Sequence, residues 1–133
     1  MKEGEAFFDS NVLLYSVSAD TRKADRSEEL LKVGGAVSVQ VLNEFAAVLR
    51  RKYRTPWIDI RTGLEIIRAQ CRVVALTIDV HDRGVALAER YGFSTYDAMI
   101  VAAALLAGCT VLYSEDMQHG LAIESLRIKN PYV

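Results

Sequence analysis

Short apolar segments alternate with longer segments of helical periodicity along the whole chain. The short segments have the length of buried strands and span residues 6–8, 36–37, 72–77 and 110–113. Between them the apolar residues recur every three to four positions, the spacing of a helix that covers one face of a sheet. Strands that alternate with helices form parallel sheets with helices on both faces. The sequence therefore predicts an α/β fold, a three-layer α/β/α sandwich with a mainly parallel central sheet.

Capping and chain-breaking residues predict where the helices begin and end. Ser38 is an N-cap candidate, Pro56 opens a helix, and Gly92 ends one. After a first helix that begins near Val12, the predicted helices span residues 27–33, 39–53, 57–70, 79–91 and 95–106. A last short strand is predicted at residues 126–129.

The amino-acid composition is that of an ordinary globular protein. The chain has 133 residues without a repeat or linker, so we expect a single domain over residues 1–133. Hydrophobic residues make up 51% and charged residues 25%, which argues against disorder. Because the formal net charge is -1, any contact with nucleic acid needs a local basic patch.

Two cysteines and one apolar run bear on the cellular compartment of the protein. Cys71 and Cys109 have no paired spacing, so we expect two buried, reduced thiols, which fit a reducing cytoplasm. The longest apolar run, residues 98–109, falls well short of the ~20 residues that span a bilayer. It predicts a buried helix, and we expect a cytoplasmic protein without a membrane segment.

Four carboxylates follow strands or begin helices. Asp9 comes directly after the first strand, and Asp116 follows the fourth after two residues. Glu44 lies early in the helix after the second strand, and Asp97 lies in the first turn of an almost wholly apolar helix. Ligands of parallel sheets bind outside the carboxyl ends of the strands. We expect these four side chains to meet at that edge.

Each carboxylate also has an ordinary interpretation. Asp9 can be a helix cap, Asp97 a first-turn acid that satisfies the helix dipole, Glu44 a solvated residue and Asp116 a turn residue. Together, however, several ionised carboxylates in a half-buried pocket need a compensating positive charge, and no Lys or Arg lies beside them in sequence. A hard divalent cation supplies it, and sites rich in oxygen select Mg²⁺ or Mn²⁺. Such ions suit phosphodiester hydrolysis.

The segments around these acids resemble the conserved motifs of PIN domains. FFDSNVLLY at residues 7–15 resembles the opening motif, and VLNEF at residues 41–45 resembles the second. STYDAMIVAAA at residues 94–104 and LYSEDMQHG at residues 112–120 resemble the third and fourth. The four resemblances come in order and span nearly the whole chain.

The resemblance, with the small size of the chain, implies a VapC-type toxin. Such a toxin is a Mg²⁺-dependent endoribonuclease of a type II toxin–antitoxin pair, kept silent by a cognate antitoxin, and a homodimer. By position, the catalytic residues are Asp9, Glu44, Asp97 and Asp116, with Asp9, Asp97 and Asp116 as metal ligands for Mg²⁺ or Mn²⁺. Asn11 and Ser114 support them by hydrogen bonds. Glu115 is adjacent to Asp116, but the family pattern of Ser or Thr, any residue, then Asp selects Asp116.

A dense basic cluster ends the third predicted helix. It consists of Arg50, Arg51, Lys52 and Arg54, interleaved with Tyr53 and followed by Trp57. These residues suit RNA phosphates and bases, or an acidic antitoxin segment. The alternative is a solvated helix end, where cations favour the dipole.

Two other functions remain open at this level. An acidic-pocket phosphoacceptor or phosphatase on a similar sheet needs a second acid beside Asp9 and a lysine at a later strand end, which Asn11 and the residues around Ser114 do not supply. A non-catalytic module that binds a basic peptide in the acidic pocket is separated from a nuclease by an RNA cleavage assay.

Overall fold

The computed structural model describes residues 4–133, and this part of the chain forms six strands and six helices. The strands are β1 Ala6–Phe8, β2 Gly35–Ser38, β3 Cys71–Val74, β4 Val111–Tyr113, β5 Ala122–Ile123 and β6 Leu126–Lys129. The helices are α1 Ser10–Ser16, α2 Thr21–Val33, α3 Val39–Tyr53, α4 Trp57–Gln70, α5 Ile78–Tyr91 and α6 Thr95–Leu106.

The six strands form one sheet in the order β3-β2-β1-β4-β6-β5. Every neighbouring pair is parallel except β5 with β6. The chain winds outward from β1 through β2 to β3 and then returns to place β4 on the other side of β1, where Phe8 pairs with Tyr113. This reversal of strand order opens a crevice at the carboxyl ends of β1 and β4, where ligands of such sheets bind.

Both faces of the sheet are covered. Phe7 and Phe8 are consecutive on β1, so their side chains point to opposite faces, yet both are fully buried. Ala36 and Val37 on β2 repeat this pattern. The predicted α/β fold with a mainly parallel sheet is therefore confirmed.

Helix α6 is the predicted buried helix. All its residues from Ala98 to Ala104 are buried, and small side chains let it lie close to α5. A Cβ at Gly84 on α5 would lie 2.6 Å from Met99 Sδ and 3.3 Å from Met99 Cα, so a larger residue there would displace the Met99 side chain. Both free thiols, Cys71 and Cys109, are buried as predicted. Within residues 4–133 no helix is both long enough and apolar enough to cross a membrane.

Two predicted boundaries differ from the structure by more than two residues, and one strand was not predicted. Helix α2 begins at Thr21 rather than residue 27, because Asp20 caps it and its polar first turns carry little of an apolar stripe. Strand β3 ends at Val74 rather than residue 77, since Thr77 accepts from the Val80 N–H and caps α5. Strand β5 was not predicted. It has two residues, too few for a periodic pattern, and turns back into β6 through Glu124 at φ 54°.

Candidate active site

Asp9 lies at the junction of β1 and α1 and is 3% exposed. Its backbone N–H donates to the Tyr113 carbonyl at 3.0 Å, which ties the end of β1 to the end of β4. Oδ1 accepts from the Ser10 N–H at 2.7 Å and so caps α1. Oδ2 accepts from the Ser114 hydroxyl at 2.8 Å and from Asn11 Nδ2 at 3.3 Å. The residue is thus a helix cap and also part of a polar cluster.

Asn11 and Ser114 join Asp9 to Asp116. Asn11 Nδ2 donates to Oδ2 of Asp9 and, at 3.2 Å, to Oδ2 of Asp116. The Ser114 hydroxyl accepts from the backbone N–H of Asp116 at 3.2 Å and of Met117 at 3.3 Å. The loop after β4 therefore folds around Ser114, and one amide group contacts both carboxylates.

Glu44 is linked to the same cluster through Ser10. Its Oε1 accepts from the Ser10 hydroxyl at 2.9 Å, and its Oε2 accepts from Gln40 Nε2 at 3.0 Å. The Ser10 hydroxyl also lies 3.5 Å from Asp9 Oδ1. No role was predicted for Ser10 from the sequence. The available signal was a hydroxyl group directly after an acid at a strand end.

Asp97 is half-buried in the first turn of α6, where its N–H donates to the Ser94 hydroxyl at 3.2 Å. Burial raises the pKa of its carboxyl, the negative charges of Glu44 and Asp116 raise this pKa further, and Ser94 opposes the shift. The charge of Asp97 also raises the pKa of Asp9, so Asp97 lies within electrostatic range of the other three acids.

Burial raises the pKa of Asp9 from 3.8 to about 6, and the charges of Glu44 and Asp97 act in the same direction. Hydrogen bonds from Ser114 and Ser10 lower this pKa but do not outweigh the loss of solvent. At neutral pH the site thus holds a buried negative charge among like charges. A bound cation would convert this repulsion into attraction.

The described residues contain no preformed metal site, since no three of their His, Cys, Asp or Glu side chains are arranged to hold an ion. The donors nevertheless fit a hard divalent cation. They are carboxylate oxygens with unfavourable charge, and those of Asp9 and Asp116 already meet at one amide nitrogen. Asp116 is exposed and Asp97 half-buried, so both side chains have room to turn toward an ion.

The structure separates the four residues of the basic cluster. Arg51 lies on the Glu44 side of α3, in a groove of about 400 Å³ that Ser10 and Tyr96 also line. Tyr96 immediately precedes Asp97 and is 66% exposed. One cation of the cluster therefore shares a groove with Glu44.

The other three cluster residues contact neighbours at the end of α3. The Arg50 guanidinium lies 5.1 Å from the centre of the Trp57 ring, and Lys52 Nζ lies 5.4 Å from that of Tyr53. Arg54 is the left-handed C-cap of the helix.

The family model described as the PIN domain matches residues 6–121. This chain belongs to the PIN-domain family. Proteins of this family generally use divalent metals. No individually curated protein sequence gives a significant match.

Solved structures of toxins have the same fold as this PIN domain. A toxin–antitoxin complex from Klebsiella pneumoniae matches with a TM-score of 0.72 and 24% identity, over 96% of this chain and 98% of that one. VapC20 from Mycobacterium tuberculosis, a toxin that cleaves the sarcin–ricin loop, gives 0.69 and 20%, over 84% and 89%. VapBC2 from Rickettsia felis, bound to a promoter DNA fragment, gives 0.68 and 17%, over 94% and 97%. At these identities the likeness concerns the fold.

Proposed function

We propose that this PIN domain is a Mg²⁺-dependent endoribonuclease and the toxin of a type II toxin–antitoxin pair. The observation that carries the proposal is the junction at the ends of β1 and β4, where Asn11 contacts Asp9 and Asp116 and Ser10 connects Glu44. Carboxylates from distant parts of the chain converge here in a family of nucleases.

Asp9, Asp97 and Asp116 would hold Mg²⁺, or Mn²⁺ in its place. When bound, the ion would activate a water and stabilise the leaving oxygen of a phosphodiester. Asn11 and Ser114 fix the orientation of the Asp9 carboxylate by donating to its Oδ2. They keep one ligand in place before the ion arrives.

Glu44 is the candidate proton acceptor. Each of its oxygens accepts one hydrogen bond, from Ser10 and from Gln40, and a carboxylate oxygen has lone pairs for a further donor. Two neighbours thus hold the side chain while it keeps the capacity to take a proton from an attacking water.

The groove beside Glu44 is the proposed path of the RNA backbone. Arg51 offers a guanidinium group to a phosphate, while Arg50, Lys52 and Arg54 lie nearby and would contact RNA or the antitoxin. Since the chain carries a net charge of -1, binding must come from this local charge and should weaken with salt.

The proposed partners are a cognate antitoxin and a second copy of this chain, in the cytoplasm. The solved toxin–antitoxin complexes support the first partner. A homodimer stays a prediction, tested by light scattering of the purified protein.

The experiment is cleavage of a mixed RNA substrate by purified protein with Mg²⁺ and with EDTA. We expect cleavage only with Mg²⁺, and its loss in Asp97→Asn with the fold intact by circular dichroism. Equal cleavage by the variant and the parent would show that the reaction does not need Asp97. Release of inorganic phosphate from small phosphomonoesters without RNA cleavage would favour a phosphatase, and binding of a basic peptide without any hydrolysis would favour a binding module.

A further inference from the structure

Glu115 is the neighbour of Asp116, but its side chain is bound by a different set of residues. Its Oε2 lies 2.5 Å from Lys23 Nζ, and its Oε1 accepts from the Tyr15 hydroxyl at 2.6 Å. Lys23 Nζ also donates to that hydroxyl at 3.2 Å. We call these three residues, Tyr15, Lys23 and Glu115, the Lys23 clamp. None of the functional assignments above explains Tyr15 or Lys23.

The Lys23 clamp is better shielded than an ordinary surface ion pair. The Lys23 and Glu115 side chains are 21% and 25% exposed, against 37% and 55% for Arg83 and Glu124. Lys23 Nζ also lies over the ring of Tyr15, 4.5 Å from its centre, and Tyr132 contacts that ring edge-on. A pair that is partly shielded from solvent is screened less than an exposed one, and the faces of the Tyr15 and Tyr132 rings favour the cation. Helices α1 and α2 are thereby fixed to the loop after β4.

The backbone of Glu115 is attached to the site. Its N–H donates to Asn11 Oδ1 at 3.2 Å, and Nδ2 of the same amide donates to Asp9 and Asp116. Glu115 is therefore held at its side chain by Lys23 and at its backbone by Asn11. Asp116 is the next residue, so its position follows from both attachments.

The clamp also holds the carboxylate of Glu115 on the α1 and α2 side of the loop. The loop after β4 carries two adjacent acids, and the site already has more negative charge than its hydrogen bonds offset. Lys23 binds Glu115 on the α1 and α2 side and so leaves Asp116 as the acid that this loop presents to Asn11.

We propose that Lys23 is a positioning residue for Asp116: by binding Glu115, it sets the loop that carries this metal ligand. The inference rests on the proposed function for its activity readout. Residues that orient metal ligands typically contribute a factor of about 10–100 in metal affinity or activity. Lys23→Met should therefore weaken Mg²⁺ binding and lower kcat by about that factor.

The test compares Lys23→Met, Lys23→Arg and Arg83→Met. The first removes the ion pair and keeps the length of the side chain, and the second restores the charge. The third breaks the remote Arg83–Glu124 ion pair as a matched control. For each folded variant we would measure the dissociation constant for Mg²⁺ by calorimetry, and kcat and KM on one RNA.

A positioning role predicts that Lys23→Met changes kcat and Mg²⁺ affinity and leaves KM for RNA within about twofold. Lys23→Arg should recover most of the loss, and Arg83→Met should change neither quantity. Parental values in Lys23→Met, or an equal loss in Arg83→Met, would overturn the inference, and a change confined to KM would make Lys23 an RNA contact. If Lys23→Met does not fold, Tyr15→Phe removes one bond to Glu115 and should show the same pattern to a smaller extent. If the parent binds Mg²⁺ but cuts no RNA, the proposed function fails, while the Mg²⁺ affinities still test the clamp.

Discussion

The raised pKa of Asp9 predicts how the stability of the metal-free protein changes with pH. An acid whose pKa is higher in the folded state stabilises the fold while it is protonated, below its unfolded pKa of 3.8. That stability is lost as pH rises through the folded value of about 6. Because Asp9 is almost fully buried, the shift is only weakly reduced by solvent.

The magnitude follows from the two pKa values. A shift from 3.8 to about 6 corresponds to roughly 3 kcal/mol over the full titration. Between about pH 4 and about pH 7, roughly 2 kcal/mol of this should be lost. Asp9→Asn removes the titrating group, and its side-chain oxygen can still accept from the Ser10 N–H and cap α1. The variant should lack this part of the pH dependence.

The assay is guanidinium unfolding of both proteins with EDTA across this pH range. Asp82→Asn, which neutralises an exposed acid on α5, controls for the loss of one negative charge and should follow the parent. The parent should lose about 2 kcal/mol more than Asp9→Asn on going from acid to neutral pH. Parallel curves for the two proteins would refute the reasoning, because they would mean that folding does not shift the Asp9 pKa.

Three further predictions concern the rest of the site. Asp97→Asn should raise the metal-free melting temperature, because it removes one of the repelling charges. At ~10 times its dissociation constant, Mg²⁺ should stabilise the parent by about 1.4 kcal/mol, and Asp97→Asn should reduce this stabilisation. Equal Mg²⁺ shifts in melts of the two proteins would exclude Asp97 from the site. Arg51→Ser should weaken RNA binding and reduce its salt dependence more than Lys52→Ser, measured by fluorescence anisotropy across a salt series, and equal effects would argue against the groove. Ser10→Ala should lower kcat about tenfold by releasing Glu44, and an unchanged kcat would show that this hydrogen bond is not needed.

The sequence was sufficient to predict the parts of the fold that depend on local patterns. Alternating apolar segments predicted the parallel sheet, and the apolar run in α6 predicted its burial. The acids were predicted at one edge because each lies at the end of a strand or the beginning of a helix. The structure brings Asp9 and Asp116 to one amide and connects Glu44 through Ser10. Their chemical roles remain predictions.

The parts that the sequence did not predict depend on contacts between distant residues or on very short elements. Lys23 and Glu115 are 92 positions apart, and neither has a pattern around it that indicates the other. The first turns of α2 are mostly polar, and β5 has two residues. The basic cluster appeared continuous in sequence, but helical geometry turned Arg51 toward Glu44 and Arg50 toward Trp57.

The hairpin of β5 and β6 has a consequence for how other chains can associate with this one. An exposed, long edge strand invites a further strand to pair with it, and proteins avoid this by keeping their edges short. Here the two edges of the sheet are β3, with four residues, and β5, with two. Neither offers a long row of free backbone groups. We therefore expect the proposed antitoxin, or the proposed second copy of the chain, to bind through side chains of the helices rather than by extending the sheet.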